Sequence, residues 1–258
     1  MNIYSNVKKL PVLTVILGLA VMVLRLLLYG FCQDGRGLVN DGHILSLLVW
    51  GLTSFAAVLT VLFVWQLDGS LKYADNFSPS RVSALGAFAL AAGIALTLLS
   101  SLLALTGLER LRNLAALIAV PSLIWVGICR WRGKRPSFIF HAAVCLYLTL
   151  FAVSHYQTWS SRPQLQDYLF TMGGVILLML FAYYQTAFDV GLGKRRMQLL
   201  TGLMAAFACL AALAQGEDLL LYLTGAVWAL TNLCRLVPVP RARKHTPAPT
   251  EEPDTTES

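Results

Sequence analysis

The sequence predicts an all-α, polytopic transmembrane bundle of eight spans with both termini on the cytoplasmic side. Three observations predict it. Of the 258 residues, 57% are hydrophobic and only 13% are charged, with a mean hydropathy of +0.66; a soluble domain of this size could not hide that much apolar surface. The apolar residues gather into eight blocks, most of them near the ~20 residues that cross a hydrocarbon layer about 30 Å thick. The basic residues then alternate, with fifteen Lys or Arg in the flanks and gaps of one side and four on the other. Positive charge resists translocation, so the richer side is cytoplasmic.

The first block, 10–31, follows Lys8 and Lys9. It is too long for the apolar core of a signal peptide and lacks a small-x-small cleavage site, so it reads as an uncleaved span. It opens into the longest outer loop, 31–43, a polar stretch with Asp34, Arg36, Asn40, Asp41 and His43. The second span, 43–66, ends on Trp65, and its inner gap carries Lys72 and Arg81. The third, 82–107, repeats small residues every four positions at Ser83, Ala87, Ala91 and Ala95, which lets helix backbones approach closely. A short turn through Glu109, Arg110 and Arg112 leads into the fourth, 112–130, where Pro121 predicts a kink.

Arg130, Arg132, Lys134 and Arg135 fill the next inner gap before the fifth span, 137–157. Arg162 precedes the sixth, 165–190, and Lys194, Arg195 and Arg196 precede the seventh, 196–214. The eighth is 218–234. Tyr29, Trp159, Tyr168 and Tyr222 near outer ends, with Trp65 and Trp131 near inner ends, suit interfacial anchors. Residues 1–235 thus form one transmembrane domain. The remainder, 236–258, is a Pro-, Thr- and Glu-rich cytoplasmic tail whose low apolar content predicts disorder.

Net charge +7 with a pI near 9.3 would suggest nucleic acid in a soluble protein. The inner gaps account for it here, so the expected partner is the lipid bilayer, with a membrane-protein partner beside it, and no nucleic acid. The five cysteines, Cys32, Cys129, Cys145, Cys209 and Cys234, form no CxxC pair, which argues against a disulfide framework or zinc site. No P-loop, GxSxG or HExxH motif or dinucleotide fingerprint occurs. No cofactor, metal site or catalytic residue is expected, and the chain does not read as an enzyme.

Arg25 is the one charge well inside a span. It lies about 9 Å from the outer end of its helix at 1.5 Å per residue. A mid-helix arginine costs about 2.5–3.5 kcal/mol on insertion scales and usually has a partner. One reading is that it binds an anionic ligand or pairs with Asp34, Asp41 or Asp167; the bland one is that its long stem snorkels to the outer headgroups. The outer polar set, Arg25, Arg36, Asp41, His43, His155 and Asp167, is the candidate ligand-binding surface. Two histidines and several carboxylates there could ligate a metal, but no helix face carries a ligand spacing, and loop hydrogen bonding is preferred. At the inner face, His141 on span five and Asp189 on span six are expected neighbours, with Tyr184 and Gln185 one turn away; a structural cluster is the preferred reading.

Arg25, the Gly35-Arg36-Gly37-Leu38 turn, Gly42-His43 and Trp50, together with the stretch 156–169, resemble small multi-span proteins of Gram-positive gut bacteria. That resemblance implies a bacterial cytoplasmic-membrane setting and no particular chemistry. The expected role is a non-enzymatic accessory, sensing or scaffold component. A transporter that collects an anionic substrate at Arg25 is the alternative, and a membrane-embedded enzyme using His43 and His155 stands third.

Overall fold

A computed structural model describes residues 9–32, 43–66, 77–78, 80–101, 107–159 and 165–236, the side chains of 157–159 and 165–166 excepted. Among the described residues eight α-helices follow one another: α1 (Leu10–Phe31), α2 (Ile44–Trp65), α3 (Arg81–Ser101), α4 (Gly107–Trp131), α5 (Phe138–Trp159), α6 (Leu165–Val190), α7 (Arg195–Ala212) and α8 (Leu219–Leu233). A 3₁₀ turn, Leu213–Gln215, extends α7. Seven of these helices, all but α8, are long and apolar enough to cross a membrane. α8 has 15 residues and is about 22 Å long.

The eight expected spans coincide with these helices to within a few residues, with one larger difference. Gly107, Glu109, Arg110 and Arg112, expected as a turn, form the first turns of α4. An acidic side chain, Glu109, in a first turn complements the positive end of a helix dipole. Pro121 leaves α4 unbroken, and the Ser122 hydroxyl donates to the Ile118 carbonyl at 2.7 Å. The expected tail boundary also moves. Leu236 is buried and bridges to Phe77, so the chain is held one residue further than sequence suggested. Residues 237–258, and with them the rest of the tail, lie outside the described residues.

Helices α3, α4, α5, α6, α7 and α8 pack in sequence, and α8 returns to α3, which closes a six-helix ring. Helix α1 packs on α7 from outside the ring, and α2 packs on α1 and α7. α7 is therefore covered on nearly all sides: 78% of its spanning window is buried, against 22% for α2. Outward faces carry Val12, Ile16, Phe55, Leu62, Leu99, Leu117, Ile118 and Leu146, all more than 50% exposed. Such apolar outer faces suit hydrocarbon, not water.

The ring interior is filled by Leu90, Ile94, Leu123, Leu148, Leu178, Phe181 and Trp228, each fully or almost fully buried. Phe181 and Trp228 meet edge to face with centroids 5.0 Å apart. The closure of α8 on α3 depends on glycine: a β-carbon at Gly86 or Gly93 would collide with Thr231 or Thr224. That is the close backbone approach the small-residue repeat predicts.

Candidate functional site

Polar side chains collect at the two ends of the bundle, and three groups are built there. The first joins α1 to α6 and α7. Arg25 is fully buried, and one guanidinium nitrogen donates to the Ala211 carbonyl at 2.6 Å while another reaches Asp167 at 2.9 Å. The same nitrogen donates to the Tyr29 hydroxyl at 2.5 Å, and Tyr29 in turn donates to Asp167 in a short hydrogen bond. The guanidinium also lies over the Phe170 ring, 4.6 Å from its centroid. Each partner has a local reason. Ala211 belongs to the last turn of α7, where the negative end of the helix dipole attracts a cation. Asp167 occupies the first turn of α6, where a carboxylate suits the helix dipole. Arg25 is thus turned into the bundle instead of snorkelling outward, because acceptors there engage both terminal guanidinium nitrogens, while its Nε has no hydrogen-bond partner.

The second group lies where α4 ends and α5 begins. His141 Nδ1 contacts Asp189 at 2.6 Å, and its Nε2 contacts an Arg130 nitrogen at 2.9 Å. Arginine can only donate. Nε2 is therefore the acceptor, and the ring proton on Nδ1 is donated to Asp189. Arg135 donates to the carbonyls of Phe188 and Asp189, closing the C-terminal end of α6. Arg235 bonds Ser78 at 3.4 Å and lies over Phe77, and Phe77 meets Phe188 edge to face at 5.1 Å. The segment before α3 is so tied to the end of α8. Gln185 is buried one turn from Asp189, and both its amide atoms lack a hydrogen-bond partner. Tyr184 packs edge to face against Tyr183 with ring centroids 5.4 Å apart.

The third group is a cavity of about 130 Å³ at the opposite end of the ring. Thr97, Ser100 and Ser101 of α3, Arg112 and Asn113 of α4, Tyr147 and Phe151 of α5, and Asp218 before α8 line it. Asn113 clamps the α3–α4 corner by donating to the Ser101 carbonyl at 3.2 Å. His155 stacks on Phe151 at 4.0 Å and reaches Asp218 with Nε2 at 3.0 Å.

Of the outer residues expected from sequence, Arg25 and Asp167 come together. His155 is engaged elsewhere, with Asp218, while His43 caps α2 by accepting from the Leu45 amide at 3.2 Å and sits 3.5 Å from the Cys32 sulfur. Arg36 and Asp41 lie outside the described residues. Among the described residues no three His, Cys, Asp or Glu side chains gather where a metal could be held. At the inner end, His141 and Asp189 pair as expected.

Sequence reasoning missed several buried polar residues. Arg130, Arg195 and Arg235 are at most 4% exposed, though their positions at span ends read as orientation charges alone. Gln198 is buried three residues after Arg195, on the same face. The i, i+3 spacing was the available signal. Asp218, in the Gly216-Glu217-Asp218 turn, carried no periodic signal at all.

No protein-family model matches the chain, and no curated protein or solved structure is similar to it. The class therefore rests on the fold itself: an all-helical, multi-pass bundle with seven helices of membrane-spanning length and composition.

Proposed function

We propose that this chain is an eight-span protein of a bacterial cytoplasmic membrane with both termini in the cytoplasm. In this reading it works as a non-enzymatic accessory, sensing or scaffold component beside a membrane-protein partner. The fifteen-to-four distribution of Lys and Arg supports the orientation. The short α8 crosses as the eighth span because neighbours shield it: Leu221, Tyr222, Ala226, Trp228 and Ala229 are buried.

The observation that carries the accessory role is the placement of α2. It stands outside the ring, packed mainly on α1 and α7, and leaves most of its surface uncovered. That surface holds a groove of about 250 Å³ lined by Phe55, Val58, Leu59, Leu62 and Phe63. A partner helix suits such a groove, since van der Waals packing drives helix association in lipid. The test is a photo-crosslinking residue placed at Val58 in native membranes, with one at Leu117 on the lipid-facing side of α4 as control. Crosslinking to one defined protein from Val58 and none from Leu117 is expected. Lipid adducts alone from both positions would refute the accessory role.

Transport is the second reading, favoured by polar groups at both ends of the same six-helix ring. Its test is uptake into proteoliposomes. The closed Arg25 group does not help it, because the guanidinium is already spent on Asp167, Tyr29 and Ala211.

A further inference from the structure

Two side chains of opposite charge line the cavity at the α3–α4 corner. Arg112 and Asp218 both line it, yet they form no ion pair with one another. The contacts of the Arg112 guanidinium are weak: Asn113 Oδ1 at 3.5 Å and the Phe151 ring at 5.9 Å. Asp218 contacts His155 Nε2 through Oδ2 at 3.0 Å and lines the cavity beside Arg112. Asp218 also sits at φ 46°, ψ 33°, the left-handed region. Aspartate is among the few residues other than glycine that adopt this conformation readily, as in a turn leading into a helix.

We propose that this cavity binds a small zwitterion, an α-amino acid of glycine or alanine size. Its carboxylate lies on Arg112 and its ammonium on Asp218. A guanidinium fork is suited to a planar carboxylate, and a fixed carboxylate to an ammonium. The volume of about 130 Å³ is well below the ~300–1,000 Å³ of drug-sized sites, which limits the ligand to a few non-hydrogen atoms. Leu98, Ala116, Tyr147 and Phe151 supply the apolar part of the wall, enough for a methyl group. Ser101 and Asn113 fix the distance between α3 and α4, and so the position of Arg112 on the adjoining turn. Neither charge alone would explain the site: a plain anion would leave Asp218 repelling it, and a plain cation would face Arg112.

The assignment is independent of the accessory and transport readings. The test is isothermal titration calorimetry on the full-length protein in detergent micelles, with glycine, L-alanine, L-leucine, acetate and ethylamine. Glycine and L-alanine should bind, with acetate and ethylamine weaker by about tenfold or more, the effect of losing one charge-assisted contact. L-leucine should be excluded by size. Arg112→Gln and Asp218→Asn should each weaken L-alanine by a similar factor without changing the elution profile. Should either variant fail to fold, Ser100→Phe at the exposed rim should block binding while sparing the core. No heat with either small amino acid, or acetate binding as well as L-alanine, would overturn the assignment.

Discussion

Arg25 on α1 and Asp167 on α6, 142 positions apart in sequence, form a 2.9 Å ion pair in which the arginine is fully buried. The pair adds a polar tie between the peripheral helix and the ring to the packing of α1 on α7, where Gly18 lies close against Leu210.

Removing one partner of such a pair strands the other in a low-dielectric setting, at a cost of about 3–5 kcal/mol. Arg25→Met should therefore lower the melting temperature in detergent markedly, and so should Asp167→Asn to a smaller extent, because the amide keeps an acceptor. The double variant should lose less than the two singles combined, with a coupling of about 1–3 kcal/mol. Strict additivity would mean that the pair contributes nothing to holding α1.

His141 predicts a different ranking at the other end. It accepts from Arg130 and donates to Asp189, so it bridges α4 and α6. His141→Leu leaves both an Arg130 donor and an Asp189 acceptor without that partner, at about 1–3 kcal/mol for each buried group, more where it is charged. Asp189→Asn retains an oxygen for Nδ1–H and should cost distinctly less. Equal losses of thermal stability in the two variants would contradict the bridge.

These two groups mark how far the sequence could be read. Block length and charge alternation made the helices legible, because both are local, period-independent signals. Arg25 stood out for the same reason: a charge in an apolar run is visible without any contact map. Its partner was named among three acids only, since choosing Asp167 requires knowing that α1 packs on α7 with the start of α6 within reach of Arg25. Arg130, Arg195 and Arg235 were hidden by their position at span ends, where orientation alone explains an arginine. Asp218 was hidden more thoroughly, because its role depends on α8 closing onto α3, and ring closure leaves no trace in hydropathy.

That closure is itself testable through glycine. Gly93→Val should collide with Thr224 and destabilise by about 1–3 kcal/mol, the usual range for overpacking a tight contact. Gly51→Ala on α2, where an added β-carbon meets nothing within 4 Å, should be neutral or slightly stabilising, since alanine is the better helix former. The pair of melting curves controls for helix propensity. If Gly93→Val melts with the native protein, α8 does not press on α3 as described.

The native cysteines test the orientation. Cys234, just beyond α8, is exposed, and Cys32, just beyond α1, is partly exposed. With both termini in the cytoplasm, a membrane-impermeant maleimide should label Cys32 in intact bacterial cells and leave Cys129 and Cys234 untouched until the membrane is opened. Cys209 is fully buried and should stay unlabelled until the protein is denatured, which provides the internal control for folding. Labelling of Cys234 before that of Cys32 in intact cells would invert the topology, and the fifteen basic residues would then need an explanation other than retention on the cytoplasmic side.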